Sequence, residues 1–209
     1  LEFRRVLFRS HYPFLSPSAL LPIPAGAVVA YSFENTPVNN GSAGSTFNAV
    51  LNSPAVYTAA GLRGSGVLLN GSTAVVLVGN GSVGASLGSA WTLSIWFKGA
   101  APASGVYRTL FRGASKHHML LTNLNTNDIG IWVNGFDAYR DQQLTTATLA
   151  TIGNDGNWHH IVVVGQGGNS TLYVDGAFAG VSQSQSRTDI LALGNVGSNG
   201  NQQFSDFID

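Results

Sequence analysis

Few residues in this chain are equipped for acid–base, metal or nucleophilic chemistry: five histidines, ten acids and no cysteine in 209 residues. The absence of cysteine removes disulfides, thiolate metal sites and thiol nucleophiles together. A glycosidase needs two carboxyl groups about 5 to 10 Å apart across one bond. Here the only glutamates are Glu2 and Glu34, and no Glu-x-Asp pattern occurs. Asp128, Asp137 and Asp141 stand as isolated acids. Four of the histidines form the neighbouring pairs His117-His118 and His159-His160. Neighbours on a strand point to opposite faces, so neither pair chelates one ion by itself. For His159 and His160 the pattern predicts one ring packed inward and hydrogen-bonded and the other facing out, while His117 and His118 could edge a groove. Gly64-Ser65-Gly66 lacks the strand-to-helix frame of a nucleophile elbow. The glycine-rich stretch 79–84 has no following Lys-Ser/Thr, so it reads as a loop rather than a phosphate cradle.

Carbohydrate binding asks for less: an aromatic face to stack on a sugar ring and a few groups that hydrogen-bond its hydroxyls. Trp132, Asn134, Phe136, Tyr139 and Arg140 cluster around Asn134-Gly135 and supply those types. Trp132 and Asn134 share one strand face, opposite Ile129, Ile131 and Val133. These five are the candidate ligand-binding residues, and ordinary packing of Trp132 and Phe136 is the competing reading.

What must position such residues is a framework of strands. Charged residues are 10% of the chain, against about 25% in an average soluble domain, while glycine reaches 26. Ten basic and ten acidic residues cancel, so no basic field attracts nucleic acid or an anionic membrane. No apolar run approaches the roughly 18 to 20 residues that span a bilayer. This charge-poor, Gly/Ser/Asn/Thr-rich composition fits an extracellular or cell-surface protein, bacterial in character.

Residues 1–10, with Arg4, Arg5 and Arg9 close together in the sequence, match nothing that follows and read as a non-native scar or arm. Residues 11–26 form a proline-containing linker, and 27–209 form one domain. Within it, β-branched and aromatic runs alternate with Gly, Asn, Asp and Ser clusters, which predicts many strands and no long helix. Strands are expected at Val28–Phe33, Gly66–Leu69, Ala74–Val78, Trp91–Lys98, Arg108–Arg112, Met119–Thr122, Ile129–Val133, His159–Val164, Thr171–Val174, Ala177–Val181 and Ile190–Gly194. Asp175-Gly176 suits the two positive-φ positions of a type I′ hairpin, and Asn134-Gly135 is a second turn of the same chemistry. Alternation puts Trp91, Leu93, Ile95 and Phe97 in the core, opposite Thr92, Ser94, Trp96 and Lys98. Trp96 is then either a second packing element or part of a sugar-contacting surface.

Several segments in order resemble the LamG-like jelly-roll domain of the concanavalin A-like lectin/glucanase superfamily. They are Ala30–Phe33, Gly64–Gly71, Trp91–Lys98, Asn157–Val162, Thr171–Gly180 and Phe204–Asp209. The resemblance covers about residues 27–209, departs at Asp206 where glycine is usual, and stops before the family's last strand. It implies an all-β, two-sheet antiparallel jelly-roll sandwich, concanavalin A-like. It also implies a non-catalytic binding or adhesion module with a glycan or other cell-surface ligand. A protein-adhesion or spacer role and a glycoside hydrolase-related role are the alternatives. Relatives of this fold hold a structural calcium ion, and the matching positions here are Glu34, Gly71 and Asp209.

Overall fold

A computed structural model describes residues 22–70, 75–81, 84–99, 107–113, 118–122, 129–132, 152–153, 155–183, 185, 189–194 and 204–209. Among these residues the chain forms β1 (Val50–Asn52), β2 (Val56–Thr58), β3 (Gly66–Asn70), β4 (Val75–Leu77), β5 (Ala90–Lys98), β6 (Tyr107–Gly113) and β7 (His118–Thr122). It continues with β8 (Ile129–Trp132), β9 (His159–Gln166), β10 (Asn169–Val174), β11 (Ala177–Ser182), β12 (Ile190–Leu193) and β13 (Ser205–Ile208). Two sheets result, a six-stranded one ordered β1-β4-β12-β6-β7-β8 and a seven-stranded one ordered β11-β10-β9-β5-β13-β3-β2. Every strand pairing is antiparallel. The expected two-sheet antiparallel jelly-roll sandwich is the fold observed. No helix among the described residues is long and apolar enough to cross a membrane.

Period-two patterning builds the core. In β9 the residues His159, Ile161, Val163 and Gly165 are buried while their neighbours are half-buried or exposed. In β5 the side chains of Trp91, Ile95 and Phe97 are buried, and Thr92 and Ser94 are exposed. Register sets Trp91 opposite Gly165, Ile95 opposite Ile161 and Phe97 opposite His159. The six-stranded sheet contributes Val76, Leu110, Phe111, Ile190 and Leu193 to the same apolar cluster. Each fully buried aliphatic or aromatic side chain stabilises the fold by about 1.5 to 3 kcal/mol. The β10–β11 hairpin turns at Asp175 (φ 50°) and Gly176 (φ 79°), the two left-handed positions its Asp-Gly sequence calls for. Asn134-Gly135 lies outside the described residues.

The expected opening strand Val28–Phe33 is not a strand. Its partners are those of a loop: the Asn40 and Ala43 N–H groups donate to the Ala30 and Val28 carbonyls at 2.8 and 3.0 Å, and Asn39, 6% exposed, accepts the Ala30 N–H at 2.8 Å and the Gly41 N–H at 2.9 Å on Oδ1. Its amide donates to the Gly44 carbonyl at 3.0 Å. Phe33 (φ 49°) and Asn35 (φ 55°) then turn the chain sharply around Glu34. β1 and β2, each three residues, were not anticipated. The closing segment is part of the seven-stranded sheet. β13 lies between β3 and β5, and Phe204 and Ile208 are each 1% exposed.

Candidate functional site

The sandwich brings together two acids from opposite ends of the domain. Left-handed Phe33 and Asn35 flank Glu34, and the Asn35 N–H donates to the Phe33 carbonyl at 2.7 Å. Non-glycine residues held in that region cost of order 1 to 3 kcal/mol each, so surrounding contacts must hold the bend. Those contacts come from the turn 61–65. Glu34 Oε2 accepts the Ser65 N–H at 3.0 Å, and the Asn35 side-chain amide donates to Ser65 Oγ at 2.8 Å. Gly64 (φ 76°) leaves room for the Glu34 carboxylate, since a Cβ there would lie 2.5 and 2.7 Å from its two oxygens.

Asp209 reaches the same turn from the far end of the chain. Its backbone pairs with Trp96 on β5 through two hydrogen bonds of 2.9 and 3.0 Å. Its Oδ2 accepts the Leu62 N–H at 2.8 Å and, more weakly, the Arg63 N–H at 3.5 Å. Burial pushes the Asp209 carboxyl up to about 6. The turn amides act against that rise, and the charge of Glu34 adds to it. Each acid thus offers one oxygen to backbone amides and keeps the other, Glu34 Oε1 and Asp209 Oδ1, outside these bonds. Two hard oxygen donors in a half-buried setting, with the charge of Glu34 felt at Asp209, fit a cation such as calcium. Among the described residues no group of three His, Cys, Asp or Glu side chains could hold a metal, so further ligands at this place would be carbonyls and water. Gly71, the third expected position, lies outside the described residues.

Of the candidate ligand-binding residues, Trp132 ends β8 at the edge of the six-stranded sheet. Asn134, Phe136, Tyr139 and Arg140 lie outside the described residues. Backbone register aligns Trp132 with His118 and His118 with Arg112 in one row across β8, β7 and β6. The row itself was not legible in the sequence, because it depends on two register alignments between strands joined by loops. Arg108 and Arg112 bracket the buried run Thr109 to Phe111, and burial lowers both guanidinium pKa values. The six strands of this sheet contain no Asp or Glu.

The histidine pair divides as its alternation predicts. His159 is 8% exposed, and both ring nitrogens face carboxylates: Nδ1 lies 2.7 Å from Asp175 Oδ2 and Nε2 lies 3.1 Å from Asp155 Oδ1. His160 lies on the opposite face, half-buried, its Nε2 2.8 Å from Ser94 Oγ. Its ring stacks on Trp96 at 4.6 Å between centroids, which makes Trp96 a packing element of the outer face. Burial lowers the His160 pKa.

A family profile described as the concanavalin A-like lectin/glucanases superfamily matches residues 70–209. The chain belongs to this superfamily. No curated protein sequence matches it. Among solved structures, this concanavalin A-like domain is similar to domain 4 of AbnA, a GH43 extracellular arabinanase from Geobacillus stearothermophilus, in complex with arabinotriose. The TM-score is 0.60 and the identity 19%, covering 88% of this chain and 89% of that one. The binding domain of botulinum neurotoxin serotype D matches at a TM-score of 0.46 and 16% identity, covering 82% of this chain and 44% of that one. The alginate lyase AlgAT5 of polysaccharide lyase family 7 matches at 0.46 and 13% identity, over 76% and 80% of the two chains.

Proposed function

We propose that this concanavalin A-like domain is a non-catalytic, extracellular carbohydrate-binding module that takes its glycan on the β6–β8 side of the six-stranded sheet. The observation that carries the reading is the cross-strand row Arg112, His118, Trp132. An indole, an imidazole and a guanidinium on adjacent strands are the residue types that stack on a sugar ring and donate to its hydroxyls. The reading is supported by the arabinanase domain of the same fold, which holds arabinotriose.

Glu34 and Asp209 are the residues that would hold a structural calcium ion, with main-chain oxygens and water completing its shell. Bound there, the ion would neutralise the two acids and tie the Glu34 bend, the 61–65 turn and the end of β13 together. A glycan array that includes arabinan oligosaccharides, followed by calorimetry on the hits, tests the function. Binding to one glycan class is expected, and Trp132→Ala should weaken it by about 1 to 3 kcal/mol with the fold intact. A flat array combined with tight binding to a protein ligand would replace this reading with adhesion. Turnover of a polysaccharide would replace it with catalysis.

A further inference from the structure

The strongest cluster of titratable groups outside the glycan and cation sites surrounds His159. A carboxylate only accepts hydrogen bonds, and a neutral imidazole donates from one nitrogen alone. His159 has a carboxylate oxygen at each nitrogen, 2.7 Å away at Nδ1 and 3.1 Å at Nε2. Only the imidazolium donates at both positions, so a neutral ring would turn one lone pair toward an anionic oxygen. Both acids are also held independently of the ring. Asp175 Oδ1 accepts the His160 N–H at 2.8 Å, and the Asp175 N–H donates to the His160 carbonyl at 2.9 Å. Asp155 accepts the Asn157 N–H at 2.8 Å and its side-chain amide at 2.9 Å.

We propose that His159 is a proton-dependent latch: its imidazolium bridges Asp155 and Asp175 and so clamps the loop before β9 and the β10–β11 hairpin to one end of the seven-stranded sheet. The proposal is independent of the glycan and calcium readings. Among the described residues the groups that meet the ring are few. The loop supplies Asp155, the hairpin turn supplies Asp175, and β5 presents uncharged Phe97, its ring 5.9 Å from the imidazole. Lys98, the next residue on β5, alternates to the other face, as does His160 on β9. His160 carries a lowered pKa, so it adds no second positive charge at neutral pH.

The electrostatics agree with the geometry. Burial alone would pull the His159 pKa down, but hydrogen bonds and charge from Asp175 and Asp155 outweigh it, and the net shift is upward from 6.5. The Asn157 amide, followed by His159, lowers Asp155 to about 2. A histidine raised in the folded state contributes stability that is fully present below its unfolded pKa and is lost as pH rises through the folded one. A carboxylate lowered in the folded state contributes above its unfolded pKa and fails as pH falls through the folded one. The latch therefore holds from mildly acidic pH up to the folded pKa of His159 and opens above it.

The test is ring-nitrogen NMR of the full chain across pH 5.5 to 10, with amide hydrogen exchange of residues 174–177 at each end of the range. His159 is expected to show both ring nitrogens protonated at pH 7, with a midpoint above 6.5, while His160 is neutral at pH 7. Hairpin amides should exchange faster once His159 is deprotonated. Asp155→Asn, at an exposed position that should not endanger folding, should lower the His159 midpoint and move the onset of faster exchange to lower pH. A neutral His159 tautomer at pH 7 would overturn the proposal. So would hairpin exchange that, after correction for the intrinsic base-catalysed rate, is unchanged across the His159 titration or unmoved by Asp155→Asn.

Discussion

Replacing Asp209 by asparagine probes the acid pair directly, because asparagine keeps an oxygen for the Leu62 and Arg63 amides while removing the charge. The Asp209 carboxyl rises from 3.8 to about 6, first through burial and then through the charge of Glu34. A carboxyl raised in the folded state makes folding most favourable when protonated, so stability falls as pH climbs from 3.8 through about 6 and stays reduced above it. A shift of two pKa units corresponds to about 3 kcal/mol at face value. Asp209 is only partly buried, and solvent screening reduces that to about 1 to 2 kcal/mol. In calcium-free buffer at pH 7.5, Asp209→Asn should therefore be the more stable chain, melting about 2 to 8 °C higher. The two chains should converge toward pH 4, where Asp209 is protonated. At the proposed cation site calcium should reverse the order: it would stabilise the native acid pair by mass action, about 2.7 kcal/mol at a hundredfold excess over Kd, and the variant much less. Differential scanning calorimetry with calcium or with chelator, at pH 4.5 and 7.5, reads all four combinations. A variant that melts lower than the native chain in chelator would refute the charge argument. An equal calcium response in both chains would remove Asp209 from the cation site.

Gly165→Ala should destabilise by about 1 to 3 kcal/mol, because the added Cβ would overlap the Trp91 indole, which is packed in the core. Chemical denaturation followed by tryptophan emission measures this, and an unchanged midpoint would contradict the β5–β9 register. Gly64→Ala places a Cβ against the Glu34 carboxylate and asks alanine to hold φ 76°, a strain of roughly 1 to 2 kcal/mol. It should lower the melting temperature and remove most of the calcium response, whereas Gly26→Ala, with open space around its Cβ, should leave that response intact.

Local patterning carried much of this fold. The alternation along β5 and β9 requires only that one sheet face be buried, and a period of two is written in consecutive residues. The Asp175-Gly176 turn was legible for a similar reason, since left-handed backbone selects its residues wherever it occurs. The same logic failed at Val28–Phe33, where an apolar run reads as a strand. There the 39–44 loop folds against the run, its backbone N–H groups and the buried Asn39 amide taking the Val28 and Ala30 backbone groups, and those partners are visible only in the fold. The aromatic and amide types around Trp132 were legible, but their alignment with His118 and Arg112 belongs to the register of three strands.

The acids show the division most clearly. By position in the chain Glu34, Asp155, Asp175 and Asp209 are far apart, and only the family resemblance grouped two of them, Glu34 and Asp209, at one cation position. Only the tertiary structure set Asp209 on an amide 147 residues away and made Glu34 part of its surroundings. The same folding closed two separate acids on His159. The reason is physical: hydrophobic periodicity acts on neighbouring residues and needs no knowledge of the far chain. A charge's partner is chosen by which strands lie side by side, and that choice is made by the whole sandwich at once.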